Sequence, residues 1–118
     1  MTNAELGWLM RQGMAFKKMM QSKQFFITQI EKNYHVNPIG AALVGKLKDR
    51  DKAMAFFAEL SEAGDAHFLR IAEELGVEVG LLQTMQKVHA LGLMNIREIA
   101  SELISGHFPA NVPEEFLL

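Results

Sequence analysis

The sequence contains no cysteine. That excludes a disulfide framework, a thiolate metal site and a thiol nucleophile, and it fits a reducing compartment. The chain also lacks the run of about eighteen or more apolar residues that a membrane helix needs. Its opening, MTNAELGWLMRQGM, has neither the charged region nor the unbroken apolar core of a signal peptide. A cytoplasmic protein without a membrane span is the expectation. No Gly-rich phosphate loop, nucleophile elbow or dinucleotide fingerprint occurs. His35, His67, His89 and His107 are scattered without metal-ligand spacing, and Glu59, Glu62, Glu73 and Glu74 read as solvated helix faces. No residue recommends itself as catalytic, and no cofactor or metal is expected.

What is present is ordinary globular material: 118 residues, 49% hydrophobic and 22% charged, enough for one domain with a real core. The net charge is only −2, but it is unevenly spread. Residues 1–58 hold nine Lys/Arg against four acids, a balance of +5, and residues 59–118 hold three against ten, a balance of −7. Two such halves attract one another, within a chain or across a dimer.

The most informative spacing lies in FLRIAEELGVEVGLLQTM, from Phe68 to Met85. Ile71, Ala72 and Leu75 sit on one helix face. Gly76 can take the left-handed conformation that ends a helix, and Val77, Leu82 and Met85 return toward the first arm. Ala72 is small where two crossing helices approach closely. At these residues the segment resembles the helix-turn-helix of bacterial repressors, the TetR-type version in particular. The resemblance implies that the second helix would be presented to DNA, with Gln83, Thr84 and Lys87 as the candidate reading residues. The same face carries Glu78 and only one basic residue, whereas a DNA-reading surface gathers Lys and Arg near the phosphates. A packed helical corner without DNA contact is the other reading.

Before that corner, Asn3 can cap a helix starting at Ala4, and Leu6, Met10, Phe16, Met20, Ile27, Ile30 and Tyr34 recur near a 3.6 period. A long amphipathic helix over residues 4–34 is expected, with a joint near Gly13 as the alternative. Unbroken, it would span about 45 Å at roughly 1.5 Å per residue, too long to fold wholly onto its own domain. The expectation is therefore a homodimer or a higher assembly in which this helix supplies much of the contact. Trp8, Met10, Met14, Lys17 and Lys18 make the helix Met-rich and basic, a candidate surface for a protein partner. A membrane-surface role is the other use of such a helix.

Asn37 and Pro38 then read as cap and first residue of a second helical segment, 37–63, either continuous or broken at Lys48 with Asp49 or Asp51 as a new cap. Gly64 and Asp65 close that segment and open the corner pair, 65–90. Leu91-Gly92-Leu93-Met94 resembles the strand entry of winged-helix repressors, but Asn95 and Glu98 form a capping-box signature that starts a last helix, 95–105, ended by Gly106. The tail, 107–118, is expected to be largely extended with one turn after Pro113. Its Phe116, Leu117 and Leu118 would dock on the parent domain or on another protein.

The fold expected is thus all-α, a single compact helical domain of five or six helices with a helix-turn-helix-like corner, an extended tail and no sheet. The function expected is a small protein-interaction module, adaptor, accessory subunit or regulator of another protein. A helix-turn-helix transcriptional regulator, with nucleic acid as the partner, is the alternative.

Overall fold

The computed structural model describes residues 1–60 and 67–116. Thr2 caps the first helix, α1 (Asn3–Met14), one residue earlier than Asn3 would have done. Its hydroxyl accepts from the Glu5 amide and the Glu5 carboxylate accepts from the Thr2 amide, a reciprocal box that satisfies two first-turn donors. Leu6, Met10 and Gly13 form the buried stripe of α1.

The chain then leaves the helical path, so the continuous helix over 4–34 is corrected. Lys18 takes a left-handed φ of 62°. Three short strands follow: β1 (Met19–Gln21), β2 (Ile27–Ile30) and β3 (Asn33–Val36). β3 lies in the middle, parallel to β1 and antiparallel to β2. In the hairpin Ile30 faces Asn33 across Glu31 and Lys32, with Glu31 at φ 57°. β3 alternates as a half-buried strand should, with Tyr34 and Val36 inward and Asn33 and His35 less buried. The fold is therefore not purely all-α. Residues at 16, 20, 27, 30 and 34 fit a helical period by coincidence, and a turn made by Glu31 carries no Gly, Asn or Pro signal.

Asn37 caps α2 (Pro38–Leu47), its Oδ1 accepting from the Gly40 amide at 2.9 Å. Every residue from Pro38 to Gly45 is buried, so α2 is the central rod of the molecule. It ends where Lys48 turns left-handed at φ 57°. Asp49 Oδ1 then accepts from the amides of Asp51 and Lys52 and opens α3 (Arg50–Leu60). Residues 37–60 of the expected segment are thus two helices, broken where one of the sequence alternatives put the break, and 61–63 lie outside the described residues. Phe26, just before β2, stacks on Phe57 of α3 at 4.8 Å and meets Phe68 edge-on at 5.9 Å, which pins the start of the hairpin to the helices on either side.

Gly64 and Asp65 lie outside the described residues. α4 (His67–Leu75) and α5 (Val79–Ala90) form the corner. Gly76, at φ 69°, donates to the Ala72 carbonyl at 2.8 Å, and Val77 donates to the same oxygen at 3.1 Å. Ile71, Ala72, Leu75, Leu82 and Met85 are all buried, as the spacing predicts. Among the described residues no strand follows α5. Asn95 and Glu98 make the expected capping box of α6 (Ile96–Ser105), and Gly106 ends it at φ 82°.

After α6 the chain turns instead of extending. Asn111 donates to the His107 carbonyl and Val112 to that of Pro109, and a single 3-10 turn spans Glu114–Phe116. Phe108 and Val112 anchor the tail in the core. The docking expected of Phe116, Leu117 and Leu118 lies outside the described side chains. Six α-helices are described, and none is long and apolar enough to cross a membrane.

Candidate interaction groove between the first and last helices

The site is set by how closely α1 can approach its neighbours. Gly7 stands so near α6 that a Cβ there would come within 2.6 Å of the Ala100 carbonyl oxygen. With the helices this close, the outward residues of α1 and α6 rise as walls on either side of the seam. Trp8 and Arg11 are one turn apart on α1, and Arg97 and Ser101 are one turn apart on α6, so each pair shares a helix face. The Arg11 guanidinium lies over the Trp8 ring, 5.0 Å from its centre, and donates across the seam to Ser101 Oγ at 2.9 Å. It is held at two points with donors to spare.

Beyond Arg11 the seam widens into a groove of about 520 Å³. Met14, Met19 and Ala100 supply apolar lining, and Arg11 and Arg97 are its charged groups. No acid lines it. The two nearby carboxylates of α6 are turned elsewhere: Glu98 accepts from the Asn95 amide, and Glu102 stands 3.3 Å from His107. Arg97 has no ion pair among the described residues. At the head of α6 the Ile96 amide donates to Gln21 Oε1 at 2.9 Å and the Glu98 amide to Asn95 Oδ1 at 2.8 Å. The Arg97 main-chain N–H, in the first turn of α6, has no hydrogen-bond acceptor among the described residues.

Gln21 joins this groove to a second cavity of about 340 Å³, lined in part by Lys23, His89 and Glu98. Its Oε1 also meets His89 Nε2 at 3.2 Å. Because that oxygen only accepts, the proton lies on Nε2 of the neutral imidazole. His89 is 4% exposed. Burial, with the Lys23 ammonium nearby, holds its pKa below the ordinary value.

Of the candidate residues read from the sequence, Trp8 is half exposed beside Arg11, outside the groove lining, and Met14 lines the groove. Lys17 and Lys18 are exposed in the turn beyond α1. Met10 is corrected: it is fully buried against the core and takes no part in a surface. The sequence marks Arg11 only as one of the basic residues of this helix, and nothing in it points to Arg97 or Gln21. Arg11 at three residues from Trp8 was visible as a helix neighbour, but nothing in the sequence brings α6 beside α1.

At the corner, Thr84 is also corrected. It is 5% exposed and its hydroxyl donates to the Gly80 carbonyl at 2.9 Å, so it does not face outward. Gln83 and Lys87 are half-buried on α5. The open hollow beside the corner, about 580 Å³, is lined by Glu78 among others and by no Lys or Arg. Among the described residues no three His, Asp or Glu side chains stand close enough together to hold a metal ion.

Comparison of the chain with protein-family models, with curated proteins and with solved structures found no match.

Proposed function

We propose that the chain is a small helical protein-interaction module, an adaptor, accessory subunit or regulator, which engages another protein through the face shared by α1 and α6. The observation that carries this reading is Trp8, 50% exposed, with Arg11 fixed over it at the rim of a groove with apolar lining. Tryptophan and arginine are the residue types that concentrate binding energy at protein interfaces, and a pre-positioned guanidinium loses little freedom on binding.

The nucleic-acid alternative draws on the corner, where Gly76 at φ 69° lies in the turn between α4 and α5. Its outward surface argues the other way. Thr84 is withdrawn, Glu73 and Glu78 are exposed, and Arg70 and Lys87 are the only Lys or Arg on α4 and α5. Protein–DNA affinity rests on several phosphate contacts, so this face is poorly supplied. The dimer expected from a 45 Å first helix loses that motive, since α1 has 12 residues. A second copy of this chain is then one partner among those the test distinguishes.

The test places a photo-crosslinking residue at position 8 in one variant and at position 87 in another, and irradiates living cells. Protein adducts at position 8, absent at position 87, are expected. Nucleic-acid adducts at position 87 with none at position 8 reverse the two readings.

A further inference from the structure

We infer that the segment received by the groove is acidic, with an apolar side chain about one helical turn or two extended residues from its carboxylate. This rests on the protein-interaction reading and assigns the chemistry of its partner. Three features on the wall between Arg11 and Arg97 select an anion. Among the described residues the two guanidiniums have no carboxylate beside them in the groove. The Arg97 amide lies in the first turn of α6 without an acceptor, where the helix dipole is positive. The α6 acids that could neutralise the site, Glu98 and Glu102, are engaged at Asn95 and His107.

The apolar lining decides what the anion is attached to. Met14 and Met19 are adaptable thioethers that fit an irregular apolar side chain, and a sugar–phosphate strand offers none. Trp8 lies outside the groove, so an occupant that touches both Trp8 and Arg97 runs along the seam and is a chain segment, not a small ion. A carboxylate accepts from Arg97 and from its main-chain N–H, the neighbouring apolar side chain settles on Met14 and Met19, and the backbone passes over the Arg11–Trp8 pair. Lys17 and Lys18, exposed beyond α1, extend the positive field and speed the approach of an acidic segment.

The experiment displays random peptides against the immobilised full chain and measures the enriched sequences by fluorescence anisotropy with wild type, Arg97→Gln and Arg11→Gln. Enriched peptides should pair Asp or Glu with Leu, Met or Phe. Arg97→Gln, at an exposed position, should weaken them about ten-fold, as for loss of one hot-spot contact. Affinity should also fall as salt rises from about 50 to about 300 mM. Should Arg11→Gln disturb the α1–α6 seam, seen as a lowered Tm, Arg97→Gln still decides the matter. Enriched peptides that are neutral or basic, or that bind Arg97→Gln undiminished, overturn the acidic assignment and leave the interaction module standing. No enrichment, or a short DNA duplex bound through Arg97, overturns both.

Discussion

Two helix crossings in this molecule use glycine for opposite reasons. Where α1 crosses α2, Gly13 lies directly against the Ala41 carbonyl and Gly45 against that of Leu9, so each helix puts a glycine under the other's backbone. A Cβ at either position would overlap main-chain atoms that belong to a packed helix and cannot swing aside. At the α4–α5 corner the crossing is made by side chains, Ile71, Leu75, Leu82 and Met85, around the small Ala72. Gly76 is exposed there, with nothing nearer than 3.8 Å to an added Cβ, and is needed only for its φ of 69°. One crossing requires the absence of a side chain; the other requires a backbone conformation.

The largest expected effect separates them. Gly13→Ala or Gly45→Ala must part α1 from α2, and a loss of more than about 3 kcal/mol is expected, at the severe end for single substitutions. Urea unfolding measures it, and a loss no greater than that of Gly76→Ala would erase the distinction. Ala72→Leu adds three carbons to a side-chain crossing that can repack, and should cost on the order of 1 to 3 kcal/mol. Gly76→Ala forces a side chain into the left-handed region and should cost about 1 to 2 kcal/mol. Gly80→Ala, on the same corner but inside α5 with open space around it, should instead stabilise by up to about 1 kcal/mol. Calorimetry on the pair tests whether conformation alone governs the corner.

The smallest effect is the pH dependence from His89, which lies away from both crossings. Its pKa is lowered in the folded chain from an ordinary 6.5, so the unfolded chain binds the proton more tightly. The stability this contributes is full above pH 6.5 and is lost as pH falls toward and through the folded value. His89→Gln should flatten that slope of Tm between neutral and mildly acid pH, while Gly80→Ala should leave it unchanged.

The contrast also explains what the sequence could reveal. The corner was legible because a side-chain crossing writes itself as apolar residues at helical spacing around Gly76, and the caps at Asn37 and Asn95 were legible because capping is local. The α1–α2 crossing left only glycines, which read equally well as joints or breaks. Tyr34 and Val36 form the buried face of a strand, yet the positions around them also fit a helix, and only pairing with residues 19–21 and 27–30 decides the matter. Trp8 and Met14 are legible as members of a Met-rich, basic amphipathic helix. Arg97 did not, since its worth depends on α6 lying beside α1.

Among the described residues the order of the three strands leaves β1 and β2 with an unpaired edge each, the kind of surface on which other chains add and aggregate. Here the exposed ladders are three and four residues long. Lys17, Lys18 and Lys23 flank β1, and Lys32 follows β2 at the hairpin turn. An incoming strand would gain few main-chain bonds and would meet ammonium groups at the ends of both edges. Shortness and charge thus keep the sheet from growing, although Ile30 is 49% exposed on its rim.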